Sequence, residues 1–243
     1  VVCHQEIFNI FMLFKNAFKK LVQLKLFLVP IILFFWISSI FEHFLVKKIE
    51  GVVNSSDPST ATLIGYASLH LLNGIIFPTL ITLLALSYLR NKKKAAPEYQ
   101  IEGSTSEQLF IETLRSWGKT TWWFLALIIP GIYKFIAYSY VPIIVFLDPN
   151  YDEGVVDALE ASEAQFRKNW FATCFVFIAF YLVFPIMLSS ILDSYKDFNE
   201  TPVLALLVSI FNGGLSLFAF LLLAEIYIQD NAKPLENLTH SPA

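Results

Sequence analysis

The chain has 243 residues, of which 56% are hydrophobic, 16% aromatic and only 15% charged, with a formal net charge of −3 and a mean hydropathy of +0.60. This balance lies outside the range of water-soluble globular domains and matches a chain held mostly in lipid, and it offers no basic surface for nucleic acid. Cys3 and Cys174 stand far apart, Cys174 inside an apolar run, so the cysteines encode neither a disulfide framework nor a zinc site.

From the start of the chain, Ile7, Phe11, Phe14, Phe18 and Leu21 recur at helical spacing, with Asn9, Lys15, Asn16, Lys19 and Lys20 on the other side. The pattern predicts an amphipathic helix lying in the headgroup plane. The first long apolar run, 26–46, predicts a membrane span. No small-x-small site follows it, so it is expected to stay as an anchor rather than to be cleaved. A second span is predicted over 63–89, followed by Arg90, Lys92, Lys93 and Lys94, which read as a topology determinant. Ser104 and Glu107, at capping-box spacing, open a second amphipathic helix carrying Phe110, Leu114 and Trp117.

The next segment, 120–147, contains Pro130, Gly131, Lys134 and Pro142 where an ordinary span would be uniformly apolar. At 1.5 Å per residue it reaches about 42 Å, enough for one crossing of about 30 Å of hydrocarbon and too short for two. A single crossing puts Lys134 near the bilayer centre at a cost of about 2.5–3.5 kcal/mol. A break at Pro130-Gly131 instead returns the chain to the side it came from, with Lys134 near the tip of a re-entrant hairpin. The hairpin places 13 Lys and Arg on one side of the membrane and 3 on the other, whereas a single crossing gives 11 and 5. The stronger positive-inside bias favours the hairpin.

Val155, Leu159, Ser162 and Phe166 mark a third amphipathic helix, acidic early at Glu153, Asp157 and Glu160 and basic late at Arg167 and Lys168, as the helix dipole favours. Spans over 170–192 and 203–228 complete the membrane part, and a polar, disordered tail is expected from Asp230. Trp117, Trp122, Trp123 and Trp170 fall where interfacial belt residues belong. The fold class predicted is thus all-α. It is a polytopic helical membrane domain, 1–230, of four full spans plus a Pro-Gly-broken central hairpin, about six membrane segments, with three interfacial amphipathic helices and a tail at 231–243. Asn73-Gly74, Leu83-Leu84-Ala85 and Tyr88 align at a constant offset with Asn212-Gly213, Leu222-Leu223-Ala224 and Tyr227. Duplicated halves and chance composition both account for this.

Phosphate-cradling loops, zinc-protease histidine pairs and nucleophile elbows do not occur, so no enzyme, cofactor or metal is expected. Pro130, Gly131 and Lys134 form one candidate functional place, since ionisable residues within a membrane are candidates by default. His70, Asn73 and Asn212 form a second candidate, a polar seam between the second and last spans. Glu225, within a turn of the last span's end, is expected to reach water. The expected partners are membrane lipids and a membrane protein.

The stretch from Pro130-Gly131-Ile132-Tyr133 through Pro142 and Asp148 to Ala158-Leu159, Ser162, Arg167-Lys168 and Trp170 resembles the YciC-like family of bacterial inner-membrane proteins. It is also similar to the membrane domain fused to some glycerophosphodiester phosphodiesterases. The resemblance covers about 50 positions. It implies a multi-pass, non-catalytic protein of the bacterial cytoplasmic membrane, read with both termini cytoplasmic, and it supplies no reaction and no site residues. Lys134 departs from the uncharged neighbourhood the family leads one to expect.

Overall fold

In a computed structural model the described residues are 2–23, 25–55, 59–94, 105–192 and 202–239, and every regular element among them is helical. The chain runs through α1 (Val2–Gln23), α2 (Lys25–Val53), α3 (Thr60–Lys94), α4 (Thr105–Ala126) and α5 (Ile128–Ala137). A 3₁₀ turn (Tyr138–Tyr140), α6 (Val141–Leu147), α7 (Pro149–Asp152) and α8 (Ala158–Lys168) follow. Next come α9 (Trp170–Phe177), a π-helical turn (Ile178–Val183), α10 (Phe184–Leu192) and α11 (Pro202–Thr239). Among the described residues, four stretches are long and apolar enough to cross a membrane: Val29–Val53, Ile128–Leu147, Trp170–Leu188 and Val203–Asn231. The second predicted span forms the long helix α3, packed along α2, and is not one of these four, whereas Ile128–Leu147, expected as part of the hairpin, is.

The central segment departs from expectation. It does not break at Pro130-Gly131; the chain reverses at Leu127, whose backbone is extended (φ −157°, ψ 135°) between two helices. Pro130 is the third residue of α5, where the backbone N–H has no partner within the helix in any case, so proline costs nothing there. The arms of the hairpin are therefore α4 and the continuous α5–α6 rod. Two later prolines do leave a mark. The Pro142 ring opposes the Tyr138 carbonyl four residues back, and the chain tightens to 3₁₀ there; Pro185 opposes that of Tyr181, and the helix widens to a π turn.

Cross-contacts fix how the rods run. Tyr140 meets Thr173 at 2.7 Å and Phe135 meets Phe177 with ring centres 5.8 Å apart, so α5–α6 lies antiparallel to α9. Asn169 bonds Asp230 at 3.2 Å and Phe180 meets Phe218 at 5.4 Å, so α9 in turn lies antiparallel to α11. The enclosed centre is α6, with Val141, Ile143, Ile144 and Val145 fully buried, packed against α4, α8 and α3 in a core that also holds the Ala219–Tyr227 stretch of α11.

The first amphipathic helix also differs from expectation. α1 lies along α11, with Phe14 against Phe180 and Phe218 and Lys20 paired to Glu225, so Phe14 and Leu21 face protein rather than a headgroup plane. Phe18 remains exposed; the side chains of Ile7, Asn9 and Phe11, like Ser104 of the predicted capping box, lie outside the described residues. The helix of α11 continues to Thr239, through most of the predicted disordered tail.

Candidate functional site

The hairpin closes on a glycine. A Cβ at Gly131 would lie 2.6 Å from the Phe124 ring and 2.9 Å from the Phe124 Cα, so only glycine allows α5 to approach α4 this closely. Every residue from Thr121 to Ile129 at the tip is exposed, and most are large and apolar: Trp122, Trp123, Phe124, Leu125, Leu127, Ile128 and Ile129. Below the tip α4 is inside out. Phe110, Leu114 and Trp117, the predicted apolar stripe, face outward, while Thr113, Ser116 and Thr120 are buried. Such a pattern fits a helix whose outer solvent is hydrocarbon and whose inner contacts use small polar residues.

The rod α5–α6 is held from outside by α8. Asp157 caps α8, its carboxylate accepting from the N–H groups of Leu159 and Glu160, and it also pairs with Arg115 of α4 at 2.7 Å. One turn on, the buried Ser162 hydroxyl donates to the Ala137 carbonyl at 2.6 Å. That carbonyl lies at the junction where α5 tightens into the 3₁₀ turn, so the bond fastens the rod at its irregular point. Next to it, Lys134 pairs with Glu163 at 2.6 Å, and Arg167 reaches the same carboxylate at 2.7 Å. The Lys134 ammonium also sits 5.7 and 5.4 Å from the ring centres of Tyr133 and Tyr138. Burial alone would raise the Glu163 and Asp157 carboxyls. The cations beside them, with the helix N–H groups in the case of Asp157, outweigh it and hold both below the ordinary carboxylate range.

The base of the bundle carries further charge. Lys168 and Asn169 both meet Asp230, Tyr227 donates to Asp148 at 2.8 Å, and Lys20 pairs with Glu225. Glu225 is buried, so it does not reach water as the sequence suggested; Lys20 compensates its charge.

The polar seam is redistributed. Asn73 exchanges hydrogen bonds with Ser38 of α2 at 3.4 Å rather than with Asn212. The Asn212 side-chain oxygen and the His70 Nδ1 are buried without a hydrogen-bond partner, and the neighbouring Gly213 packs on the Phe35 ring of α2. Of the seven candidate residues, Pro130, Gly131 and Lys134 come together in α5; Asn73 meets Ser38 of α2, His70 Nδ1 and Asn212 Oδ1 stay buried without a hydrogen-bond partner, and Glu225 belongs to the α1–α11 contact. Glu163 and Ser162 are the additions. An unpaired lysine in an apolar stretch signals the need for a carboxylate, and Glu163, four residues past the buried Leu159, lies on the inward side of α8. Among the described residues, no group of three or more His, Cys, Asp or Glu is placed to hold a metal ion.

No known protein family, curated protein or solved structure matches the chain. Its function is inferred from its own geometry.

Proposed function

We propose that the chain is a non-catalytic, multi-pass protein of the bacterial inner membrane that organises lipid in one leaflet, with the α4–α5 hairpin as its inserted wedge. The observation that carries this is the hairpin's polarity: an exposed apolar tip above buried hydroxyls, with the first cation on each arm a similar distance below it. Lys119 lies eight residues before Leu127 and Lys134 seven after, about 10–12 Å along each helix. Since the hydrocarbon is about 30 Å thick, a tip anchored this way stops within one leaflet. Lys134 then needs no mid-membrane position; with Glu163 and Arg167 it belongs to the headgroup layer, level with Lys119. The bias of Lys and Arg toward this end supports its facing the cytoplasm. The resemblance to YciC-like proteins over the same segment points the same way. A second reading, a small transporter with a mid-membrane site at the broken central segment, draws less support, since α5 runs unbroken through Pro130 and Lys134 pairs with Glu163.

A spin label at Leu127→Cys in lipid nanodiscs tests the wedge. Relaxation by oxygen and protection from a water-soluble nickel complex are expected. Ready access of the nickel complex would defeat the proposal, and a protein partner retained at fixed stoichiometry during purification would move the role from lipid to assembly.

A further inference from the structure

Where α8 meets α5, one carboxylate gathers three donors. Glu163 Oε2 accepts from the Lys134 ammonium at 2.6 Å, and Oε1 accepts from Arg167 at 2.7 Å and from the Tyr133 hydroxyl at 3.4 Å. The Lys134 and Glu163 side chains are each 19% exposed, whereas that of Arg167 is 69% exposed. The guanidinium is thus the outermost member of a chain of contacts whose inner members are half-buried. Two cations meet one anion here, which leaves one positive charge uncompensated within the cluster. The next carboxylate back along α8, the exposed Glu160, is seven residues from Arg167, about 10 Å along the axis. The adjacent Lys168 is turned to Asp230 and takes no part.

We infer that Arg167 binds the phosphate of an anionic phospholipid at the foot of the hairpin. The inference rests on the wedge reading, which puts Lys134, and with it the arginine that shares its carboxylate, in the headgroup layer. A guanidinium offers several N–H donors in a rigid fork, and a phosphodiester accepts from two of them at once. Glu163 occupies one nitrogen of the fork and leaves the rest of it open. Because that contact already holds the long side chain, binding spares part of the entropy of freezing it. The surroundings favour a lipid over a soluble phosphate. Toward the tip, α5 exposes Ile129, one turn above Tyr133 on the same face, and Ile132 beside it, an apolar surface along which acyl chains can lie. A soluble phosphate ester would leave that surface unused. A zwitterionic headgroup would bring its own ammonium up to two protein cations, so a headgroup without one fits better.

The test is competition in nanodiscs made from equal amounts of phosphatidylglycerol and phosphatidylcholine, followed by native mass spectrometry of the lipid retained. Phosphatidylglycerol is expected to be retained about fivefold over phosphatidylcholine, the discrimination that one basic residue supplies at an anionic surface. Arg167→Gln is expected to bring the ratio close to one; the side chain is largely exposed, so the thermal unfolding transition stays cooperative. Lys119→Gln removes the same charge at the same distance from the tip and is expected to keep most of the preference. Equal retention of the two lipids by the native chain would overturn the inference. So would an equal loss in both variants, which would show a diffuse positive field in place of a site. Glycerophosphoglycerol, the same headgroup without its chains, separates the sources when added in excess. No displacement supports the lipid, and displacement assigns a soluble phosphate ester and overturns it. The Leu127 label reports the wedge separately. A water-exposed tip with the Arg167-dependent preference intact counts against the wedge alone, and a lipid-buried tip with no preference counts against the phosphate site alone.

Discussion

Helices α4 and α8 carry the same helical periodicity and face opposite ways. In α4 the buried positions are Leu109, Thr113, Ser116 and Thr120, and the exposed ones include Phe110, Leu114 and Trp117. In α8 the buried positions are Ala158, Leu159, Ser162, Gln165 and Phe166, and Glu160, Arg167 and Lys168 are exposed. A periodic apolar stripe therefore shows that a helix is two-faced, and the solvent on its outer side decides which face turns inward. The crossover between the two patterns runs through the ion pairs Arg115–Asp157 and Lys134–Glu163, which join the hairpin, with its exposed apolar residues, to α8, with its exposed charges, at 2.7 and 2.6 Å.

The largest effect expected on this pairing of regions comes from the hairpin's closest approach. In Gly131→Val the added carbons meet the Phe124 backbone, which cannot swing aside as a side-chain end would. A loss of about 3 kcal/mol is expected, at the upper end of overpacking changes, measured by denaturant unfolding of the reconstituted protein. Gly118 in the same hairpin has open space where a Cβ would go, so Gly118→Ala serves as the matched control and is expected to be neutral or slightly stabilising. Equal losses at both positions would show that α4 dislikes any change, and the tight α4–α5 contact would lose its special status.

A smaller effect is expected at the crossover itself. Glu163→Ala leaves Lys134, only 19% exposed at its side chain, without its carboxylate. About 2 kcal/mol is expected to be lost, between the values for surface and buried pairs, because water still reaches part of the site. Adding Lys134→Met to Glu163→Ala removes the stranded charge and is expected to restore most of that stability. If the double replacement is no better than Glu163→Ala, the pair does not join the two regions.

The apolar runs were legible in the sequence because length and hydrophobicity are local properties: runs at 26–46, 63–89, 170–192 and 203–228 fall within helical stretches of the fold. Helix polarity was legible too, with Asp157 capping α8 and Arg167 and Lys168 in its last turn. The reversal was misplaced by three residues because Pro-Gly carries the familiar breaking signal, whereas proline in a first helical turn breaks nothing. Leu127, where the chain does reverse, carries no turn signal at all. The partner of Lys134 was missed because Glu163 is 29 residues away and no local pattern encodes the meeting. For the same reason Asn73, expected to face Asn212, was not placed on Ser38.

The smallest effect expected is a response to acid confined to the α8 side of the crossover. Asp157 and Glu163 titrate below their ordinary values in the folded chain because cations hold them ionised despite partial burial. Around pH 4 the unfolded chain then binds more protons than the folded one, so their contribution to stability is fully present above the ordinary carboxylate range and fades as pH falls through it. Both groups are partly wetted, so the loss is smaller than that of Glu163→Ala at neutral pH. Hydrogen exchange of α8 amides should quicken below about pH 4 and stay flat from pH 5 to 8 apart from the intrinsic dependence, while α6 amides, enclosed in the core, keep their protection. Loss of protection in α8 and α6 together would mean that the two helices unfold as one unit. The hairpin would then be no more than another part of a single core, and the crossover would cease to be a boundary between two solvents.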